Sequence, residues 1–190
     1  EATVLDMGQQ ERICSVCNEK ETKSIAKLKA TISLNVSGTI PLKTKQTFTP
    51  KVTMGKGDKV ASWKSSNKKV VSVSRNGKVK GLKAGKTATI TVQLQSGLKK
   101  SFKVKVQKKK VKTQKLTLTN VKKRKLTLKK GKTFKIKTEL TPLTSQEKIT
   151  FKSSDKEVAK VSKNGKIKAL KAGKTVITVK SGTEVVKIKV

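Results

Sequence analysis

The 190-residue sequence contains no histidine and no tyrosine, its aromatics amount to 3%, and it holds two cysteines and one tryptophan. Each shortage removes a class of function. Without imidazole there is no histidine acid–base catalysis and no histidine-ligated metal site. Two cysteines cannot make a multi-cysteine zinc framework or a disulfide scaffold within one chain. No apolar run approaches the roughly 18 residues of a membrane-spanning helix, so no transmembrane segment is expected. Carboxylates are scarce as well: Asp6, Asp58, Asp155 and eight glutamates. None forms a pair at catalytic spacing, and Asp155, following Ser153-Ser154, suits backbone capping in a turn. Serine and lysine are so abundant that their proximity carries no information about a nucleophile. A Lys–Asn isopeptide cross-link would need a buried lysine beside an asparagine and an acid, and the pattern gives no sign of one. The chain is read as a non-enzyme, with no catalytic, cofactor-binding or metal-site residues expected.

Positive charge, by contrast, is everywhere. Lys and Arg number 48 against 11 Asp and Glu, a net charge of +37. The lysines alternate with aliphatic residues, as in Phe102-Lys103-Val104-Lys105-Val106, Lys166-Ile167-Lys168-Ala169-Leu170 and Val186-Lys187-Ile188-Lys189-Val190. A period of two places the apolar set on one strand face and the ammonium groups on the other. Lysine on sheet edges also discourages edge-to-edge pairing. The charge invites weak attraction to polyanions such as a cell-wall polymer or an anionic glycan. It does not read as specific nucleic-acid recognition, because the only arginines are Arg12, Arg75 and Arg124 and few aromatics are available for base stacking.

The organising feature is an internal repeat. Trp63-Lys64-Ser65-Ser66-Asn67 recurs as Phe151-Lys152-Ser153-Ser154-Asp155. Val73-Ser74-Arg75-Asn76-Gly77-Lys78-Val79 recurs as Val161-Ser162-Lys163-Asn164-Gly165-Lys166-Ile167, and Leu82-Lys83-Ala84-Gly85-Lys86-Thr87 as Leu170-Lys171-Ala172-Gly173-Lys174-Thr175. Residues 63–86 and 151–174 share about 16 of 24 positions. Upstream, Leu42 matches Leu128 and Thr47-Phe48 matches Thr133-Phe134, so a loop differs in length by about two residues.

Each copy reads as about seven short strands with turn signals between them and almost no helix. Asn76-Gly77 and Asn164-Gly165 are hairpin signals, since both residue types accept positive φ. Gly85 and Gly173 mark a second turn, and the Ser-Ser pairs a third, held by side-chain-to-backbone hydrogen bonds. The expected core of the first copy is Leu42, Phe48, Val52, Trp63, Val73, Val79, Leu82, Ile90, Val92, Phe102 and Val104. That of the second is Leu128, Phe134, Ile136, Phe151, Val161, Ile167, Leu170, Ile177, Val179, Val186 and Ile188. Trp63 would be a carbohydrate-stacking platform if exposed. Its replacement by Phe151 shows that the indole N–H is dispensable and favours a core role.

The repeated series resembles the bacterial immunoglobulin-like domain, group 2: an aromatic followed by Ser-Ser-Asp/Asn, then Val-Ala-x-Val, Asn-Gly-x-Val and a small-Gly-Thr segment entering an Ile/Thr/Val strand. The second copy keeps Val158-Ala159-Lys160-Val161, whereas the first has Val70-Val71-Ser72-Val73. The resemblance covers residues from about 30 to 190. It implies an all-β chain of two tandem Ig-like antiparallel β-sandwiches, the first over 29–107 and the second over 115–190, joined by a charged linker at 108–114. That linker, free of Gly and Pro, is expected to be extended by self-repulsion and to set the sandwiches end to end. The resemblance also implies a secreted or surface-attached bacterial setting, and it carries no shared catalytic residues.

Residues 1–28 stand apart as a mixed-charge segment containing Cys14-Ser15-Val16-Cys17. The stretch from Arg12 to Thr22 resembles short cysteine-containing hairpins found beside such domains in Gram-positive surface proteins, with Asn18 where glycine is usual. Three readings stand: half of a zinc knuckle whose other ligands come from another segment or molecule, a redox pair, or a structural disulfide or unpaired thiols. The last, with no bound metal, is the expected state. Lacking an initiator methionine and a signal peptide, the sequence is expected to be an internal piece of a longer secreted protein. Taken together these readings anticipate a monomeric extracellular stalk or adhesion scaffold on a bacterial surface. The competing readings are a dedicated binder of a host surface protein (mucin or immunoglobulin) or anionic glycan, and a general polyanion or nucleic-acid binder.

Overall fold

The computed structural model describes all 190 residues and is almost entirely β. Two compact units comprise Glu1–Lys108 and Lys109–Val190. The first contains β1 Gly8–Ile13, β2 Lys20–Ile25, β3 Ile32–Leu34, β4 Thr39–Lys43, β5 Thr47–Phe48, β6 Val52–Met54, β7 Val60–Ser65, β8 Val71–Val73, β9 Val79–Gly81, β10 Thr87–Leu94 and β11 Lys99–Gln107. The second contains β12 Lys115–Leu118, a 3-10 turn at Lys122–Arg124, β13 Thr133–Lys135, β14 Thr138–Thr141, β15 Ile149–Ser153, β16 Ala159–Val161, β17 Lys166–Ala169, β18 Val176–Ser181 and β19 Glu184–Lys189.

In the first unit the sheet β4-β11-β10-β7 faces β5-β9-β8, with β3-β6 as a small additional ribbon. The period-two pattern does what sheet geometry requires. Along β10, Ala88, Ile90, Val92 and Leu94 are buried, while Thr89, Thr91 and Gln93 are only partly so. Along β11, Phe102, Val104 and Val106 point in and Lys103 and Lys105 point out. Leu42, Val71, Val79, Ile90 and Val104 are fully buried, and each such side chain contributes about 1.5–3 kcal/mol relative to exposure. Phe48 meets Phe102 with ring centroids 6.0 Å apart in a tilted arrangement. Not every pairing is antiparallel: β4 runs parallel to β11 over five rungs, from Thr39–Lys103 to Lys43–Gln107.

The second unit repeats the plan with β15-β18-β19, β13-β17-β16 and β12-β14. Ile167, Ile177, Val179 and Ile188 fill its centre. Several expected core residues occupy the margin instead. Leu82 is exposed, because its N–H donates to Val70 O as the chain turns away after β9. Leu170, in the same place, is half-buried, as is Val52, whereas Phe48, Trp63, Val73, Leu128, Phe134, Phe151, Val161 and Val186 are half-buried but pack against the two cores as expected. Conversely Val36, Ile40, Val71, Val106, Leu116 and Ala159 are buried although they are not among the expected core residues.

The repeated turns also differ from the hairpin expectation in one respect. Gly77 and Gly165 have φ of 74° and 75°, but the preceding asparagines do not take positive φ. Gly77 N–H donates to Ser74 O and Ser74 N–H to Lys78 O, which closes a five-residue connection between β8 and β9. A Cβ at Gly77 would lie 2.8 Å from Trp63 Cε2, and one at Gly165 2.7 Å from Phe151 Cζ. The aromatic of each copy therefore packs directly against its Asn-Gly turn, and only glycine permits that approach.

Both units are sealed by a short strap entering from the amino-terminal side. In the first, Ala2 and Val4 are buried, Val4 N–H donates to Lys56 O, and Val4 packs where a Cβ on Gly55 would fall. In the second, Val111 and Thr113 are buried, with Gln146 N–H donating to Val111 O. The carboxy-terminal part of the 108–114 stretch is thus built into the second sandwich. In the second unit β12 follows its strap directly. In the first, the β1–β2 ribbon intervenes between strap and β3, and Leu28 N–H to Thr3 O at 2.8 Å closes its root. The cysteine-bearing ribbon is an insertion into the first unit, not a segment ahead of it.

Candidate functional site

The inserted ribbon differs physically from the rest of the chain. Its register runs from Gly8–Ile25 to Ile13–Lys20. Beyond Gly8 every residue of both strands is exposed, so cross-strand pairing, not a core, defines it. Arg12 pairs directly across with Glu21, and Lys20 reaches Glu11 diagonally at 2.9 Å. Lys56 and Glu1 form a further ion pair at the root of the first unit. Glu11, Glu19 and Glu21 balance Arg12, Lys20 and Lys23, so the ribbon is locally neutral on a chain of net charge +37. It also exposes apolar side chains near its tip: Val16 is 92% exposed and Ile13 66%.

The tip turns through Cys14–Glu19. Asn18 N–H donates to Cys14 O at 3.0 Å, Cys14 N–H donates to Glu19 O at 2.9 Å, and Asn18 adopts φ 55°. Asparagine tolerates this left-handed conformation better than most residues, consistent with its standing where glycine is usual. Both cysteines are exposed thiols. The Cys17 N–H, the Val16 N–H and the Cys17 side chain converge on the Cys14 sulfur and hold its thiol below the usual range. This is a β-turn setting with no helix N-terminus, unlike that of a thioredoxin-type redox pair. No group of three or more Cys, Asp or Glu within the chain is gathered as a metal cage.

The remaining candidates serve the fold. Trp63 packs against the first core over Gly77 and does not form an exposed platform. Asp155 accepts the N–H groups of Glu157 at 2.8 Å and Val158 at 3.3 Å, the capping role its position suggested. Ser66 and Ser154 accept N–H groups from Thr89 and Val176, each at 2.9 Å, tying the Ser-Ser turn to the neighbouring strand. Asp6 lies in a surface turn with Thr3. Asp58 is the buried carboxylate. Burial opposes its charge, but the Ser96 hydroxyl at 2.6 Å, the Lys59 and Ser96 N–H groups and the Gln95 N–H outweigh that and hold its pKa below the ordinary carboxyl value. The buried polar residues are Asp58, Thr113, Thr144, Ser153, Thr175 and Ser181, so every lysine keeps contact with water.

Two concavities have size: a hollow of about 730 Å³ at the ribbon tip, lined by Arg12, Cys14, Cys17, Glu19, Lys20 and Glu21 among others, and a cleft in the second unit. The cleft, of about 670 Å³, lies between Leu126–Leu128 and the Lys171–Val176 turn, with Val158, Ala169 and Val190 in its apolar wall and Lys125, Lys171, Lys174 and Lys189 at its rim. It gathers no acid, thiol or unsatisfied buried polar atom. The ribbon tip was legible from Cys14 and Cys17, whereas the cleft had no signal in the pattern, because it arises from a strand pairing that is only begun.

A family model described as Bacterial Ig-like domain (group 2) matches residues 22–106 and 115–190. No curated protein matches the sequence. Among solved structures, the chain is similar to domains 4 and 5 of the S-layer protein SbsC, with 20% identity and a TM-score of 0.38, covering 85% of this chain and 96% of that one. A longer SbsC structure, rSbsC(31-844), shows 17% identity and a TM-score of 0.38, covering 97% of this chain and 34% of that one, so this chain spans about a third of it. Drosophila N-cadherin EC1-3 shows 9% identity and a TM-score of 0.42, covering 90% of this chain and 71% of that one.

Proposed function

The chain belongs to the bacterial Ig-like domain (group 2) family, and from that premise we propose that it is a non-catalytic extracellular scaffold, a pair of spacer modules on a bacterial surface that also serves adhesion. The observation that carries this reading is the division of labour in both sandwiches. Aliphatic side chains fill two separate cores, polar turn residues are consumed in capping, and the lysines are left facing water. Binding energy in such a module comes from display and from diffuse charge, not from a built pocket.

The lysine faces favour a second reading, retention of an anionic glycan or cell-wall polymer. Capture from host secretions, or on immobilised polyanion, across a salt series separates the two. Diffuse lysine attraction disappears as salt rises, because the exposed charges are screened over about 8 Å at physiological ionic strength. The scaffold reading expects complete elution with moderate salt. Salt-resistant retention of one host protein or glycan would replace it with a dedicated binder.

A further inference from the structure

Independently of that reading, we propose that the Cys14–Cys17 tip is one half of a tetrathiolate zinc site, completed by the same tip of a second copy of this chain. Three observations converge. First, the two cysteines sit on one tight turn, closed by Asn18 N–H donating to Cys14 O at 3.0 Å, and both are exposed and line one hollow. Four thiolates around zinc, each at about 2.3 Å, require neighbouring sulfurs about 3.8 Å apart, so a single turn supplies two adjacent corners of the tetrahedron.

Second, the sequence offers no further thiol and no imidazole. The two remaining thiolate corners therefore come from outside the chain, and an identical tip offers the matching dithiolate. A two-fold arrangement makes each tip both donor and acceptor of the same contacts.

Third, the surroundings suit a like-with-like approach. Two bodies of charge +37 repel each other everywhere except where charge is balanced, and the ribbon is that place. Val16 and Ile13, exposed beside the thiols, supply apolar surface for two tips to bury against each other. Assembly releases the four thiol protons, so it weakens as pH falls. Without metal the chain remains monomeric.

The test uses the full chain, reduced and then freed of reductant, titrated with Zn²⁺ or with Co²⁺ as a spectroscopic stand-in. The expected result is saturation at about half an equivalent of metal per chain, a tetrahedral tetrathiolate Co²⁺ spectrum, and a doubling of mass by light scattering that chelator reverses. Cys14→Ser and Cys17→Ser should each abolish the spectrum and the doubling while leaving the β-rich circular dichroism unchanged. Val16→Lys should weaken the dimer at least about tenfold. Binding of one equivalent without mass doubling, a dimer that persists in either serine variant, closure of an internal disulfide in place of metal uptake, or no uptake at all would overturn the proposal.

Discussion

The two sandwiches carry the same motifs, yet they close differently. In the first, β4 continues beside β11 for five parallel rungs, and Leu42 is fully buried beneath them. In the second, the equivalent residues make one bridge, Lys125–Lys189, and one following hydrogen bond, Leu126 N–H to Lys189 O at 2.9 Å. Leu128, the counterpart of Leu42, is left half-buried at the cleft. A compensating pair sits opposite. Val71 faces Gly81 across β8–β9, whereas Ala159 faces Ala169 across β16–β17. Gly81 is where the first unit needs space: a Cβ there would lie 3.0 Å from Lys43 O and 3.2 Å from Val106 Cγ1. Ala169 can keep its methyl because it lines the open cleft. Identity in the turns therefore fixes the shared frame, and one side chain's volume accompanies the difference in how tightly that frame is shut.

The largest effect that would sharpen this contrast is removal of the closing leucines. Leu42→Ala should destabilise the first unit by about 2–5 kcal/mol, as for a fully buried leucine, and Leu128→Ala the second by about half as much, both read from denaturant unfolding. Equal losses would break the contrast. Next in size, Gly81→Ala should cost about 1–3 kcal/mol by crowding β4 and the end of β11, with faster amide exchange along Thr39–Lys43. Ala169→Gly should cost only about 0.5–1 kcal/mol, through chain entropy. The smallest effect concerns acid. Asp58 has its pKa lowered in the folded first unit, so its contribution to stability is present above the ordinary carboxyl pKa and is lost as pH falls through the lower folded value. In the second unit Thr113 Oγ1 joins Ser145 Oγ at 2.8 Å and Ser181 Oγ at 2.7 Å, and the Thr113 N–H donates to Glu147 Oε2 at 2.7 Å. Asp58→Asn should therefore flatten the acid limb of the first unit's stability and leave that of the second unchanged, as followed by amide exchange against pH.

Much of this was readable from sequence, and the failures have physical causes. Alternation located β11, β17 and β19 because a sheet with one wet face imposes a strict period of two. The Asn-Gly and Ser-Ser signals located turns, although the asparagines contribute no positive φ. Leu82 misled because hydrophobicity says nothing about a chain that bends away after Gly81. Val71 and Ala159 were overlooked as core because each sits in a three-residue strand, too short to show a period. The cysteines announced a special tip, but the interruption of the first unit by their ribbon was invisible, since only contacts such as Leu28 to Thr3 reveal that the residues before it already belong to the sandwich.

The parallel seam of the first unit has a consequence for tension. β4 lies near the start of that sandwich and β11 at its end, and they point the same way. A pull on the two ends of the chain slides one along the other and strains all five rungs together, not one after another as in unzipping. At the matching place the second unit has one parallel bridge and one following hydrogen bond, so fewer rungs oppose the same sliding.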